Sequence, residues 1–295
     1  MALWAWFWNV GPGGKIGFLL KVVRVGLLTV KAFRRHHLGM HASGLAFFLL
    51  LAVVPYLAYL LGLLNTFGVS AWLRPQLLNF VAGGNMELVP TIDQFIQNAR
   101  SGTLGGLGTV FTFALGFMVL QRVKTTLNMI WRVYKPVGYG ARLLEYLIAL
   151  ALVPLLLALA FGVTAVFASE PARGFIPHWL MFMAPSRLTA SIAGYGVLVA
   201  ILFYTFYFLP DAKVAWRPAL VGALAGAAGV SLVQHYSVVL LVVLSRQSIM
   251  YGALAVLPFV MTWFYAAWSI VLAGAQLTYT MQNYREELLA HRHGE

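Results

Sequence analysis

The run between Arg246 and Arg285 constrains the fold more than any other feature, because its 38 residues carry no charged side chain. A bilayer core of about 30 Å takes roughly 20 helical residues. As a single helix the run would be about 57 Å long, at about 1.5 Å per residue. We therefore expect one membrane-spanning helix with interfacial segments at both ends, bent in its outer half at Pro258. Gln276 is then predicted to lie near the boundary at the C-terminal end of that helix.

The composition of the whole chain indicates an integral membrane protein. Of the 295 residues, 61% are hydrophobic and 9% are charged, whereas soluble domains carry about 25% charged residues. A chain this apolar cannot cover its own surface with polar groups. The absence of cysteine excludes disulfide bonds, thiolate nucleophiles and cysteine-based metal sites.

Six long uncharged runs recur along the chain, and each is apolar on every side. Spanning strands would alternate polar and apolar residues, so the fold is predicted to be all-α and polytopic. A transmembrane domain at 39–281 follows a cytoplasmic or interfacial segment at 1–38 and precedes a cytoplasmic tail at 282–295. Within it, an external loop at 65–103 is predicted to contain two short helices, which either cover a cavity or merely connect two spans. The predicted spans are 39–64, 104–121, 146–168, 188–209, 218–245 and 250–279.

Lysine and arginine are distributed unevenly between the two sides of this topology. Fifteen lie on the side of the termini and five on the other. Because cytoplasmic loops carry an excess of basic residues, both termini are predicted to be cytoplasmic. The same bias accounts for most of the net charge of +12, so no nucleic-acid partner is predicted.

Residues 15–35 are predicted to form an amphipathic helix on the cytoplasmic membrane surface. At 100° per residue, the basic side chains fall within an arc of about 80°. A basic face of this kind favours anionic headgroups. Two interpretations stay open, an ordinary juxtamembrane anchor and a helix that recognises anionic lipids specifically. The basic arc consists of Lys21, Arg24, Lys31 and Arg35.

The ionisable residues do not form a catalytic or metal-binding set. The eight Asp and Glu residues lack the converging arrangement that metal-dependent hydrolysis requires, and Glu286 with Glu287 fit a solvated helix end. His36, His37 and His41 lie close together in sequence, but no carboxylate accompanies them. We therefore predict no enzyme activity, no metal and no cofactor.

The predicted span 218–245 carries two further signals. Gly222, Gly226 and Gly229 form a small-residue face suited to close helix contact, which packs either within the chain or against a second copy. His235 is an ionisable residue inside the same span. It either donates a hydrogen bond to a neighbouring helix as a neutral side chain or marks a functional site.

Pro55 and Pro258 lie in matching contexts, LAVVPY and LAVLPF, in the first and sixth spans. Each proline removes a helix hydrogen bond and bends its span unless neighbours satisfy the freed carbonyl. Both kinks are predicted at similar depth in the outer half of the membrane. The pairing is typical of an inverted repeat with a cavity at its interface. Chance similarity in a chain rich in Leu, Ala and Val explains it equally well.

Several stretches between about residue 30 and residue 285 together resemble the YihY/BrkB family of bacterial inner-membrane proteins. TTLNMIWRVYKP at 125–136 is similar to a family segment and contains Asn128 and Trp131, and FYFLPDAKVAWRPALVGAL at 206–224 contains Pro210. YGALAVLPFVMTWFYAAWSIVLAGAQLT at 251–278 resembles the family's C-terminal signature in register. The residues of this signature are Tyr251, Gly252, Pro258, Trp263, Tyr265 and Gly274.

The resemblance implies a six-span protein of the bacterial inner membrane with cytoplasmic termini. It also implies the roles proposed for members, which are envelope lipid or lipopolysaccharide handling, serum resistance, and ion or solute exchange. A ribonuclease label once given to some members is regarded as mistaken. The chain departs from the family at Gln276, where a glutamate is usual. Because glutamine does not ionise, this departure weakens cation or proton exchange for this chain.

The leading hypothesis is a transporter or flippase-like protein for a lipid or amphipathic solute. Four basic residues are predicted to contact anionic headgroups at the cytoplasmic rim, because guanidinium and ammonium groups pair well with phosphate. Positive-inside topology alone explains the same residues. Asn128 is expected to bond a neighbouring backbone, and Trp131 to anchor the interface. The four basic residues are Arg122, Lys124, Arg132 and Arg217.

Two alternatives stay open for the function. One is a non-transporting structural or scaffold partner of an envelope assembly, and the other is a cation/proton exchanger. Membrane lipids with anionic headgroups are the predicted partners. A second copy of the chain or an envelope protein is a further partner that the sequence leaves open.

Overall fold

The computed structural model describes residues 14–66, 105–133, 187–245 and 249–292, and this part of the chain is helical without strands. Long apolar segments explain the helices, because a helix satisfies its own backbone polar groups where no water is present. The described helices are α1 (Gly14–Arg35), α2 (Leu38–Thr66), α3 (Gly105–Ile130), α4 (Arg187–Tyr207), α5 (Trp216–Ser245), α6 (Ile249–Gln282) and α7 (Tyr284–Arg292).

Five predicted spans coincide with the helices α2 to α6. Among the described residues, two stretches are long and apolar enough to cross a membrane, Trp216–Ser237 in α5 and Pro258–Gln282 in α6. Leu38–Ala52 and Gly194–Tyr207 are shorter apolar stretches. The predicted span 146–168 and almost all of the external loop predicted at 65–103 lie outside the described residues. The count of six spans therefore stays a prediction.

Helix α6 occupies the centre of the described bundle, because it packs against each of the other six helices. Its buried side contains Leu272, Ala275 and Tyr279 together with Gly274. The helix is continuous from Ile249 through Pro258, and it includes Tyr251 and Gly252. Small residues on the buried side let the neighbouring backbones approach closely, which is how apolar helices associate when lipid removes the hydrophobic driving force.

The prediction of a small-residue face on α5 is confirmed, and its partners belong to the same chain. A Cβ atom on Gly222 would collide with Thr278 Oγ1 of α6 and would lie 2.6 Å from the carbonyl oxygen of Gly274. A Cβ atom on Gly229 would lie 2.6 Å from Ile270 Cγ2, also on α6. Gly226 faces the other way, toward Leu202 of α4, at 3.2 Å from its imagined Cβ atom. The glycines therefore set the spacing of α4, α5 and α6.

The predicted basic arc of α1 does not face outward as a whole. Arg24 is only 5% exposed, and Lys21 Nζ lies 5.4 Å from the centre of the Tyr284 ring in α7. Lys31 and Arg35 are exposed. The helix packs against α2, α6 and α7, so part of its basic face is used inside the protein. Its outward side carries exposed valines and a leucine instead, namely Val22, Val23, Leu27 and Val30.

The two prolines lie in helices that pack against each other, Pro55 in α2 and Pro258 in α6. The backbone remains helical through both positions. Thr262 Oγ1 donates a 2.8 Å hydrogen bond to the carbonyl oxygen of Pro258. This is the usual bond from a threonine to the carbonyl four residues earlier, and the carbonyl freed by the missing N–H of Pro258 is that of Leu254.

Replacing Gly222 by alanine is expected to destabilise the bundle, because the new methyl group meets the backbone of α6. We expect a loss of about 1–3 kcal/mol, as for other overpacked cores. Gly44→Ala is the matched control, since a Cβ atom there has nothing within 4 Å, and alanine gains about 0.5–1 kcal/mol over glycine in a helix. Thermal unfolding in one detergent measures both. Equal shifts for the two variants would contradict the proposed packing.

Candidate functional site

Lys124 and Asn128 lie on one face of α3, four residues apart, and Arg132 follows four residues later, just past the end of the helix. Lys124 and Asn128 are buried, at 4% and 8% exposure. Burying polar groups costs free energy unless they find partners. Their partners come from the α4–α5 connection (residues 208–215), α6 and α7. We call the resulting set the polar cluster, and its members are Lys124, Asn128, Arg132, Asp211, Gln282 and Glu287.

An ion pair with two supporting hydrogen bonds joins α3 to the α4–α5 connection. Lys124 Nζ lies 2.8 Å from Asp211 Oδ1, and the two side chains are 5% and 6% exposed. Asn128 Nδ2 donates to Asp211 Oδ2 at 2.9 Å, and the backbone N–H of Asp211 donates to Asn128 Oδ1 at 2.8 Å. Both carboxylate oxygens are therefore engaged, which is the condition for a charge to be tolerated in a dry interior.

The same connection is attached to α6 by a single amide side chain. Gln282 Oε1 accepts a 2.7 Å hydrogen bond from the backbone N–H of Ala215. Gln282 Nε2 donates to the carbonyl oxygen of Lys213 at 2.9 Å. The connection between α4 and α5 is thus fastened on one side to α3 and on the other to α6.

Arg132 terminates α3 and reaches α7. Its backbone is left-handed, with φ of 55°, and the N–H groups of Arg132 and Val133 return to the carbonyls of Met129 and Asn128, which closes the helix end. A non-glycine residue in this conformation is strained by about 1–2 kcal/mol. Arg132 Nη2 lies 2.7 Å from Glu287 Oε1, with side-chain exposures of 42% and 10%.

Aromatic residues surround this second ion pair. The Arg132 guanidinium lies 5.5 Å from the centre of the Tyr279 ring. The Tyr279 ring meets Trp131 edge-on, with centroids 5.3 Å apart. Close by, between α1 and α2, burial lowers the pKa of His36, and the charge of Arg132 lowers it further against an opposing effect of Glu287. His36 therefore favours its neutral form beside the pair.

The four predicted headgroup contacts separate into two kinds. Lys124 lies inside the bundle, and Arg132 is half-exposed and paired with Glu287. Arg122 and Arg217 are exposed, and each guanidinium lies over an aromatic ring, at 5.1 Å from the centroid of Phe48 and 5.3 Å from that of Trp216 respectively. The predicted rim of four cations is thus reduced to two open ones and one that is half-exposed.

Two expectations change in this region, those for Trp131 and Glu287, whereas Asn128 bonds a neighbouring backbone as expected. Trp131 was expected at the membrane interface, but it is 8% exposed and packs against Tyr279. Glu287 is 9% exposed and paired, rather than solvated at a helix end. Asn128 accepts a hydrogen bond from the backbone of Asp211. Pro210 is buried next to Asp211, so the motif residues around it support the polar cluster.

The remaining motif residues of α6 lie away from the polar cluster. Gln276 is 1% exposed, and its Nε2 makes one long contact of 3.4 Å with Thr280 Oγ1. In the described part of the chain its Oε1 accepts no hydrogen bond. Tyr265 is 42% exposed. The imagined Cβ atom of Gly39 in α2 would lie 3.3 Å from the Tyr265 hydroxyl. Trp263 packs against Phe264.

His235 lies on α5, outside the polar cluster. Its side chain is exposed and its ring meets the neighbouring Tyr236 at 6.1 Å between centroids. Tyr236 is itself 64% exposed. The exposed position of His235 does not support a hydrogen bond to a neighbouring helix, and the interpretation as a functional site stays a prediction.

The sequence-based prediction missed Asp211, Gln282 and Glu287. The four-residue spacing of Lys124, Asn128 and Arg132 was the available signal, because polar residues on one face of an apolar helix and at its end require polar partners. Local sequence patterns could not identify those partners, because Asn128 and Asp211 are 83 residues apart and Arg132 and Glu287 are 155 apart.

The chemistry of the polar cluster is that of a charge-balanced contact. Its two cations face two carboxylates, and the two amides complete the hydrogen bonds. Within the described ranges, no group of three or more His, Asp or Glu side chains converges to hold a metal ion. The cluster can therefore hold α3, the α4–α5 connection, α6 and α7 together without leaving a buried charge unbalanced.

Asp211→Asn is expected to destabilise the protein far more than Glu287→Gln. The first change removes the anion facing a buried lysine, and breaking one side of a buried ion pair costs about 3–5 kcal/mol. The second affects a pair whose arginine is half-exposed, where losses are about 1 kcal/mol or less. Thermal unfolding in a common detergent compares them. Losses of equal size would show that the burial of the first pair carries no energetic weight.

Comparisons with known proteins place the chain in one family. Residues 29–294 match the family described as Virulence factor BrkB. A UPF0761 membrane protein of Verminephrobacter eiseniae is 30% identical over 255 residues, covering 83% of this chain and 59% of the relative. One from Methylibium petroleiphilum is 33% identical over 255 residues, covering 82% and 58%. The chain thus spans about three fifths of the length of these two relatives.

A relative of more similar length has the same description. The UPF0761 membrane protein of Photobacterium profundum is 30% identical over 281 residues, which cover 90% of this chain and 84% of the relative. No solved structure matches the chain. The all-helical described residues, the apolar helices α5 and α6 and the match over residues 29–294 agree with one another, and the chain is accordingly a membrane protein of the BrkB family.

Proposed function

We propose that this protein is a non-enzymatic transporter or flippase-like protein for a lipid or amphipathic solute. In this proposal the chain crosses a bacterial inner membrane six times and keeps both termini in the cytoplasm. The excess of basic residues on the side of the termini supports that orientation. The polar cluster then lies at the cytoplasmic end of the bundle.

The observation that carries the proposal is the pair of ion pairs at that end. Lys124–Asp211 joins α3 to the α4–α5 connection, and Arg132–Glu287 joins α3 to α7. Buried ion pairs are costly to keep unless their partners are held in good geometry, so two of them at one end of the bundle point to a specific role. Contacts between separate segments at one end of a bundle are what a transporter must break and re-form when access alternates. We call the two ion pairs the latch.

The alternatives make different demands on the same residues. A scaffold protein needs the latch only as a permanent fastening, so it requires no separation of α3 from its partners. A cation/proton exchanger needs an ionisable group that loads and releases its ion from the interior. His235 is exposed on α5, and Gln276 does not ionise, so neither favours exchange.

Purified protein in proteoliposomes is expected to accelerate the movement of a fluorescent phosphatidylglycerol between leaflets, measured by quenching of the outer leaflet. The chain contains no cysteine, so Arg132→Cys with Glu287→Cys introduces the only two thiols. Joining them with a short bifunctional maleimide is expected to abolish the acceleration, because it permanently fixes the end of α3 to α7 at the position of the second ion pair.

The double-cysteine variant before cross-linking is the matched baseline, and each single-cysteine variant is expected to move lipid at the same rate with and without the reagent. A wild-type protein that moves no lipid above empty liposomes would exclude lipid translocation. A fully cross-linked variant that moves lipid at the uncross-linked rate would exclude the latch as part of the cycle.

A further inference from the structure

An exposed cation stands beside exposed apolar side chains where α2 and α3 pack together. The Arg122 guanidinium of α3 lies 5.1 Å from the centre of the Phe48 ring of α2. One turn before Arg122 on the same face, Met118 is 50% exposed. On α2, Phe47 and Leu51 are 52% and 47% exposed. We call these five residues the α2–α3 cleft.

We propose that the α2–α3 cleft binds one anionic phospholipid, with its phosphate at Arg122 and an acyl chain along Met118 and Leu51. This proposal rests on the membrane orientation of the proposed function. A guanidinium presents paired donors that match two phosphate oxygens. The ring of Phe48 holds the cation in place, which reduces the side-chain entropy lost on binding.

Depth in the membrane agrees with this assignment. Arg122 lies eight residues before Ile130, the last residue of α3, which corresponds to about 12 Å along the helix. A long arginine side chain reaches from such a position toward the headgroup region. Met118 lies one turn deeper, about 6 Å further into the hydrocarbon layer. The order of cation and then apolar surface along α3 matches the order of headgroup and then chain in a lipid.

Charge explains why this cation rather than its neighbours is assigned to a ligand. Lys124 and Arg132 face carboxylates within the protein. In the described part of the chain, Arg122 lies over an aromatic ring and forms no ion pair with a carboxylate. Arg217 also lies over a ring, but that ring is the adjacent Trp216 on its own helix. Of these two open cations, Arg122 is therefore the one whose ring comes from a second helix.

Lipid binding to the detergent-solubilised full chain tests the proposal by native mass spectrometry, with phosphatidylglycerol and phosphatidylcholine as probes. Wild-type protein is expected to prefer phosphatidylglycerol, and Arg122→Gln to lose about tenfold in affinity for it, the effect of one charge-assisted hydrogen bond. Arg122→Lys is expected to restore part of the loss. Arg285→Gln, which changes an exposed arginine of α7, is the matched control and is expected to bind as wild type does.

Further arms separate a lipid from a free phosphate group. The double variant Leu51→Ser with Met118→Ser is expected to bind phosphatidylglycerol more weakly than wild type. An excess of glycerol phosphate is expected not to displace phosphatidylglycerol from the wild-type protein. Displacement by glycerol phosphate would replace the lipid with a soluble phosphate as ligand and overturn the proposal. So would equal phosphatidylglycerol affinity in wild type and Arg122→Gln, or an equal loss in Arg285→Gln. Thermal unfolding of each variant identifies losses caused by misfolding.

The lipid-binding experiment and the translocation assay can fail separately, so each tests its own proposal. Arg122-dependent binding by a wild-type protein that moves no lipid in proteoliposomes would retain the site and remove the proposed transport. Translocation without Arg122-dependent binding would retain transport and remove the site.

Discussion

The fold depends on the ion pair between Lys124 and Asp211, because the hydration that a charge loses on burial has to be replaced by interactions close by. The penalty is several kcal/mol for each ion, and attraction offsets it only when the geometry is good and the remaining oxygens and protons are bonded. Asn128 supplies the missing bonds to both the carboxylate and the backbone of Asp211. The α4–α5 connection is therefore held against α3, and Gln282 holds it against α6. The central helix and the polar end of the bundle are arranged around this contact.

The helices themselves were predictable, and their neighbours were not. Length and uniform apolarity predict α2 to α6, because these properties are local. Faces are also local, so the glycine stripe of α5 was found from spacing alone. Lys124 and Trp131 were placed at the rim because basic and aromatic residues favour membrane boundaries. Their true surroundings depend on Asp211 and Tyr279, which are distant in sequence, and no periodicity within one helix identifies such a partner. Arg24 was likewise predicted on the basic face of α1, but its side chain is buried.

Helix α6 is held by close packing along its middle and by polar contacts near its C-terminal end. Toward its middle, Gly222, Gly229 and Gly274 bring the backbones of α5 and α6 together, where lipid gives helices no hydrophobic reason to associate. Near its end, Tyr279 contacts Arg132 of the polar cluster, and Gln282 bonds the backbone of the α4–α5 connection. Small residues set how closely the helices approach, whereas the paired charges also fix which segments meet. The polar end therefore adds a second constraint on the arrangement of the bundle.

A double-mutant cycle on Lys124 and Asp211 tests this account most directly. Lys124→Met and Asp211→Asn are each expected to lower the free energy of unfolding by about 3–5 kcal/mol, because each leaves a buried charge without its opposite. The double variant contains neither charge. Its loss of unfolding free energy is expected to be smaller than the sum of the two single losses by about 2 kcal/mol or more. Losses that simply add would show that the two charges do not stabilise each other, and would contradict the central role given to the pair.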